Sequence, residues 1–233
     1  MRFLRISASG QSDTKNSDLI LNPIYYTPNP MFNNSSNKYY VVLCEVEGTN
    51  EYTNLLETYK KTLDKEPWFG IEQEYFFHSE SGCCADHSNI YYCNVGNSKS
   101  THRTIINEHV SVCIDAGIKI CGINSEVVPF QYEFQIGPLD PLEVCNQLWL
   151  ARYFLISIAE KYDSKVIFHP KPYHKVNGSG AHTNYSTKKT REDNGIVEIY
   201  KMIDKLSKNM MSILRYMENI MNWDWLEQMK RQI

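Results

Sequence analysis

Two periodicities of apolar and polar residues alternate along the 233-residue chain and predict a mixture of helices and strands. Apolar positions three or four residues apart are typical of amphipathic helices, and runs of β-branched and aromatic residues are typical of strands. Asp140 before Pro141 supplies a cap and a first residue for one helix. The helices are predicted at 51–63, 102–116, 141–161 and from 191 onward. The strands are predicted at 39–46, 68–77, 119–136 (two strands joined around Pro129), 166–170 and 182–186.

Residues 1 to about 37 differ from the rest because they are polar and rich in turn-forming residues. Proline-containing sequences at Asn22 and Pro28, and a run of Asn and Ser from Asn33 to Asn37, predict turns there. The chain has no internal repeat and no linker long enough to separate independent domains.

Charge and hydropathy exclude several classes of partner. A net charge of −3 and a pI near 6.2 give no indication of nucleic-acid or anionic-membrane binding. Every apolar run is shorter than the roughly 18 residues that a membrane span needs, and residues 1–10 do not resemble a signal peptide. Seven scattered cysteines without a CxxC pair indicate reduced thiols. We therefore predict a cytoplasmic protein with no nucleic-acid partner and no membrane partner.

One short segment holds three cysteines and a histidine: Cys83, Cys84, His87 and Cys93. A zinc site is one interpretation. Free thiols are the favoured one, because adjacent cysteines seldom bind one ion tetrahedrally.

Two glutamates lie in an apolar, strand-like segment from Asn124 to Pro138. Glu126 and Glu133 are seven residues apart there, with Gln131 and Gln135 interleaved in the segment. Burying an unpaired carboxylate costs several kcal/mol as an order of magnitude, so a pair in this context needs a counter-charge. The segment predicts a hydrated face that holds a metal ion.

Two further segments add oxygen and imidazole ligands. Residues 67–75 read P-W-F-G-I-E-Q-E-Y, and Glu72 and Glu74 share one face of the predicted strand because side chains alternate. Residues 177–184 read N-G-S-G-A-H-T-N and contribute His182. Four glutamates and one histidine form a ligand set that suits Mg²⁺ or Mn²⁺ and not a zinc-thiolate site.

Each motif also has a structural interpretation when it is taken alone. Glu72 and Glu74 would fit a solvated strand face, and Glu126 and Glu133 would fit the surface of a hairpin. His182 after a glycine-rich loop would more often be a structural hydrogen-bonding residue. Their joint occurrence, in this order, favours the functional interpretation.

The three segments resemble glutamine synthetase of the eukaryotic type, from about Ser7 to about Ser212. Further matching pieces are Y-Y-V-V-L-C-E-V (39–46), L-W-L-A-R-Y (148–153), F-H-P-K-P (168–172) and T-R-E-D-N-G (190–195). The resemblance implies an α+β fold in two parts. Residues 1–46 would be a remnant of the family's β-grasp domain. Residues 47–233 would be a truncated catalytic α/β domain with mostly antiparallel strands and a divergent C-terminal tail.

The resemblance also implies an activity, the ATP-dependent ligation of ammonia to L-glutamate through a γ-glutamyl phosphate. It makes Glu126 and Glu133 catalytic-site ligands that share one metal ion with Glu74, and it makes Glu72 and His182 ligands of the metal on the ATP side. Its remaining assignments are glutamate binding for Asn177, Gly178 and Gly180, and nucleotide binding for Trp68, Asn184 and Ser186. The family forms rings, so a homo-oligomer or a mixed oligomer with synthetase subunits is expected.

Both ends of the chain depart from the family's pattern. Arg5 stands where the family has an aspartate. After Ser212 the family's third ATP-side ligand and its phosphate-binding arginines have no counterpart, and the tail carries Trp223 and Trp225 instead. The alternative hypothesis is therefore an inactive homologue that binds metal or ligand, or that associates with a full-length synthetase subunit.

Overall fold

The structure is a computed structural model that describes residues 4–7, 18–32, 37–48, 51–79, 101–128, 130–174 and 177–220. It divides into two compact units, Met1–Tyr185 and Ser186–Ile233. Two features predicted from the sequence lie outside the described residues. They are the cysteine–histidine group (Cys83, Cys84, His87 and Cys93) and the tryptophans Trp223 and Trp225.

The first unit begins with a three-stranded antiparallel sheet in the order β1-β2-β3. Its strands are β1 (Leu4–Ser7), β2 (Asp18–Pro28) and β3 (Tyr40–Val46). The prediction of turns up to about residue 37 was therefore wrong over β1 and β2. Pro23 lies where the β2–β3 register shifts, and Pro28 is the last residue of β2. Proline is tolerated at irregularities and strand ends, so neither residue breaks the strand.

A five-stranded sheet forms the centre of the first unit. Its path is β5-β6-β4-β7, and β8 also pairs with β4. The pairs β5–β6, β6–β4 and β4–β7 are antiparallel. The strands are β4 (Trp68–Ser79), β5 (Ile120–Ser125), β6 (Gln131–Leu139), β7 (Ser164–Ile167) and β8 (Ala181–Ser186). The predicted α+β class with mostly antiparallel strands is confirmed.

Helices supply the apolar layer that packs on this sheet. In the first unit they are α1 (Glu51–Lys60), α2 (Thr101–Asp115) and α3 (Pro141–Glu160), with a 3₁₀ turn at Leu63–Lys65. Side chains of α2, α3, β4 and β6 form one core that includes Tyr75, Phe134, Ile105, Phe154 and Ile158, all of them fully buried. Asp140 caps α3 as predicted, because its side chain accepts from the amides of Leu142 and Glu143 at 3.0 and 3.2 Å.

The second unit contains a 3₁₀ turn at Lys189–Arg191 and the long helix α4 (Gly195–Ile220). The helix thus begins four residues later than the sequence pattern predicted. β7 likewise begins and ends earlier than the predicted strand at 166–170. Beyond its end, the amide of Lys171 bonds to the ring of His169 at 3.0 Å, and Pro170 has no amide hydrogen to pair.

Strand alternation gives the central sheet two chemically different faces. Tyr75 of β4 lies opposite Tyr132 of β6, and both are buried in the main core. The residues beside them in each strand, Glu74 and Glu133, point to the other face and are also directly opposite each other. That second face is closed at one end by a small apolar cluster of Phe76, Val128 and Phe130.

Within the described part of the chain, no helix combines the length and the apolar character that crossing a membrane requires.

Candidate metal centre

Three carboxylates converge on the polar face of the central sheet. Glu74, Glu126 and Glu133 each offer an oxygen, and these atoms all lie within 4.8 Å of one another. Glu133 is 7% exposed as a residue, whereas Glu74 and Glu126 are half-buried. Three acidic side chains this close, in a partly desolvated position, form a ready set of ligands for a divalent cation.

Backbone pairing places these three side chains together. Glu74 and Glu133 occupy paired positions of β4 and β6. Glu126 follows β5, and its amide donates to the carbonyl of Gln131 at 2.9 Å. This bond closes the connection between β5 and β6, so Glu126 lies beside the start of the strand that carries Glu133.

The protonation behaviour of the cluster reflects its crowding. Burial raises the pKa of Glu74, of Glu126 and of Glu133 above the ordinary value of a glutamate. Repulsion adds to burial in each case: the charge of Glu133 acts on Glu74, that of Glu74 on Glu126, and that of Glu126 on Glu133. A cation bound among them would remove both costs, so the donor set fits a hard divalent metal ion.

Neutral donors hold one oxygen of each carboxylate. The side-chain amide of Gln131 and the backbone amide of Gly180 donate to Glu74 Oε2 at 3.3 and 3.0 Å. Asn124 Nδ2 donates to Glu126 Oε1 at 3.0 Å. Gln135 Nε2 donates to Glu133 Oε1. Within this cluster, these neutral donors orient the carboxylates without neutralising them.

Glu72 forms a second, smaller group on the same strand face. Its Oε2 lies 3.6 Å from Nδ1 of His182, and its Oε1 accepts from Asn184 Nδ2 at 2.6 Å. His182 is 70% exposed at its side chain. The Glu72 charge raises the pKa of Glu133 and the His182 ring lowers it, so the two groups are electrostatically connected. The structure thus places Glu72 and His182 side by side, as the sequence-based hypothesis requires.

The loop predicted to bind glutamate lies against the cluster. The carbonyl of Gly178 accepts from Gln131 Nε2 at 2.8 Å, and the carbonyl of Gly180 accepts from the amide of Glu74 at 2.9 Å. Asn177 is exposed at the start of this loop. The loop is therefore tied to the strand that carries Glu72 and Glu74.

The other two predicted nucleotide contacts are Trp68 and Ser186. Trp68 begins β4 and is 47% exposed. Ser186 belongs to the second unit, where its hydroxyl accepts from Arg191 Nη1 at 3.0 Å. Asn184 bonds to Glu72 as described above.

Sequence reasoning missed two supporting residues behind the loop. Gln73 is 2% exposed, and its Nε2 donates to the carbonyls of Glu74 and Gly180 at 2.7 and 3.3 Å. Arg152 of α3 donates to Gln73 Oε1 through Nε at 2.9 Å and also through Nη2. Arg152 lies in the motif L-W-L-A-R-Y, where an arginine on a largely apolar helix was the available signal.

Comparison with known proteins now decides the family. The model of the glutamine synthetase catalytic domain matches residues 50–220. The chain belongs to the glutamine synthetase family. Glutamine synthetase of Gallus gallus is 41% identical over 218 residues, which cover 87% of this chain and 58% of the relative. The synthetase of Saccharomyces cerevisiae is 39% identical over 216 residues with the same two coverages.

The chain spans 58% of the length of these two synthetases. A cryo-EM structure of Plasmodium falciparum glutamine synthetase superposes on 79% of this chain and 44% of its own, with a TM-score of 0.59 at 19% identity. The match establishes that the glutamine synthetase fold is shared. The predicted resemblance to this family is confirmed.

Proposed function

We propose that this chain takes part in glutamine synthesis, the ATP-dependent ligation of ammonia to L-glutamate through a γ-glutamyl phosphate. Membership of the glutamine synthetase family supports the reaction. The single observation that carries the proposal is the convergence of Glu74, Glu126 and Glu133 within 4.8 Å. An enzyme that handles three anionic groups at once needs such a place for a divalent cation.

The donor sets favour Mg²⁺ or Mn²⁺ as the metals. Glu74, Glu126 and Glu133 would hold one ion, and Glu72 with His182 would supply two ligands to another. The bound ions would neutralise charge that develops as the phosphoryl group is transferred. The protein's own part is to fix the carboxylates through the amides of Gln131, Asn124 and Gln135 before the substrates arrive.

The adjoining loop and strand are the proposed substrate contacts. Asn177, Gly178 and Gly180 would bind glutamate, because glycines leave backbone groups accessible to a carboxylate and the loop already touches Glu74. Trp68, Asn184 and Ser186 would contact ATP. We further propose a cytoplasmic protein that assembles with copies of itself or with other synthetase subunits.

Release of ADP tests this function directly. The purified chain is incubated with ATP, Mn²⁺ and glutamate, with and without ammonium. Ammonium-dependent release that is lost in Glu126→Ala is the expected result. The matched control is Glu57→Ala, which removes an exposed carboxylate from α1 and leaves release unchanged.

Absence of ammonium-dependent release from folded protein would contradict the ligase proposal for this chain alone. Repeating the assay with a full-length synthetase subunit then separates the two remaining cases. Stimulation would indicate that the active site is completed by another subunit, and no stimulation would leave the inactive homologue as the better description.

A further inference from the structure

A pair of amide side chains joins two of the three carboxylates into one hydrogen-bonded chain. Gln135 Nε2 donates both to Glu133 Oε1 and to Asn124 Oδ1, the second bond measuring 2.5 Å. Asn124 Nδ2 then donates to Glu126 Oε1 at 3.0 Å. The order Glu133–Gln135–Asn124–Glu126 thus runs along the sheet, across β6 and β5.

The β5–β6 register makes this chain of bonds possible. Asn124 pairs with Glu133, and Gly122 pairs with Gln135. Gly122 and Asn124 are two residues apart on β5, as Glu133 and Gln135 are on β6, so all four of these paired residues share the polar face. Glu126 continues the same spacing beyond the end of β5.

Gly122 provides the space that the Gln135 side chain occupies. A Cβ at residue 122 would meet Gln135 Oε1 closer than real Cβ atoms ever approach, and would lie 3.4 Å from its Cδ. The obstacle is the end of a flexible side chain, so the backbone need not move. An alanine here would instead turn the Gln135 amide away from Glu133 and Asn124.

We propose that Asn124 and Gln135, with the space left by Gly122, are positioning residues that hold Glu126 and Glu133 in their metal-binding arrangement. This inference rests on the proposed metal centre. The amides fix one oxygen of each carboxylate. They also add no positive charge that would compete with a cation, as a lysine or an arginine in the same place would.

The expected loss of metal affinity follows from the usual effect of residues that orient a metal ligand in other proteins. Removing a residue that orients a metal ligand typically lowers metal affinity by about 10–100-fold. The carboxylates themselves remain in place, so binding is weakened and not abolished. A change confined to side-chain orientation also leaves the secondary structure and the melting temperature close to those of the unaltered chain.

Titration of the full chain with Mn²⁺, followed by the EPR signal of the free aqueous ion, measures this affinity without an activity assay. Gly122→Ala and Gln135→Ala are each expected to weaken binding about 10–100-fold. The matched control is Gly70→Ala on β4, where an added Cβ meets only ordinary contacts at 3.7 Å and Mn²⁺ affinity stays unchanged. Circular dichroism and thermal melting confirm that each variant is folded.

A double variant decides whether Gly122 acts through Gln135. If it does, adding Gly122→Ala to Gln135→Ala causes no further loss of affinity. Additive losses, or a Gly122→Ala variant that binds as tightly as the unaltered chain, would overturn the positioning role while leaving the metal centre intact. Absence of Mn²⁺ binding by the unaltered chain would overturn the proposed centre and this inference together.

Discussion

At the scale of single residues, the carboxylate cluster works against the stability of the metal-free chain. Burial and mutual repulsion raise the pKa of Glu74, Glu126 and Glu133, so keeping all three ionised near neutral pH costs free energy. Ordinary structural roles do not require this arrangement, because a glutamine would fill the same space without the charge. A cluster kept despite its cost is typical of a functional site.

Replacing one of these carboxylates by its amide should therefore separate stability from binding. In the presence of a chelator, Glu126→Gln is expected to raise the melting temperature by roughly 1–4 °C, the change that about 0.5–1 kcal/mol produces in a domain of this size. The same variant should lose tight Mn²⁺ binding. Calorimetric melting with and without Mn²⁺ measures both effects.

Glu57→Gln on the exposed surface of α1 is the control and should change neither quantity. A melting temperature for Glu126→Gln below that of the unaltered chain would show that the Glu126 charge has a stabilising partner.

At the scale of elements, β4 serves the core and the site at once because its side chains alternate. One face contributes Tyr75 and Phe77 to the core, and the other presents Glu72 and Glu74. Gln73 is the exception, since it is a polar residue on the buried face. It holds the carbonyl of Gly180 and is itself held by Arg152. α3 thereby supports the predicted glutamate-binding loop from behind.

Arg152→Met tests this support. Methionine keeps much of the volume beside Trp149 and Phe168, whose rings the guanidinium approaches at 5.3 and 5.2 Å. It removes both donors to Gln73 Oε1, and the lost bonds at this buried group are expected to lower the free energy of unfolding by about 1–3 kcal/mol. Urea denaturation measures the loss.

The partner variant Gln73→Leu shows whether the two residues act as one unit. The double variant should then cost less than the sum of the single variants. Full additivity would mean that Arg152 contributes through its aromatic contacts and not through Gln73.

Sequence reasoning succeeded for elements whose pattern is local. The alternation in 68–77 predicted that Glu72 and Glu74 share a face, and Asp140 with Pro141 predicted the start of α3. β2 was missed because Pro23 suggested a turn, whereas pairing with β3 accommodates it at a register shift. The contact between Gln135 and Asn124 also depends on register, which β5 and β6 determine only when they pair.

At the scale of the whole molecule, two histidines lie where α2 packs on the central sheet, His109 fully buried and His102 half-buried. His102 stacks on Phe77 with ring centroids 4.6 Å apart, and His109 bonds to the carbonyl of Ala151 at 3.0 Å. Burial lowers the pKa of each to about 4, from an ordinary value of 6.5. The fold of the first unit is thus coupled to pH on the face of the sheet opposite the carboxylate cluster.

This coupling should make the chain less stable in mild acid. Each histidine has a lower pKa in the folded chain than in the unfolded chain, so the unfolded chain binds more protons between pH 6.5 and 4. The full stability is present above pH 6.5, where the histidine is neutral in both states. Stability is therefore lost as pH falls through that window, by up to about 3 kcal/mol for each histidine.

His102→Phe keeps an aromatic ring against Phe77 and removes one titrating group. The difference in unfolding free energy between His102→Phe and the unaltered chain, measured by urea denaturation, should shift in favour of the variant as pH falls. Because the raised pKa values of the site glutamates act in both chains, their opposite contribution cancels in the difference. If the unfolding free energies of the two chains change in parallel from pH 7 to 4, His102 becomes charged in the folded chain, and the packing of α2 on β4 admits water.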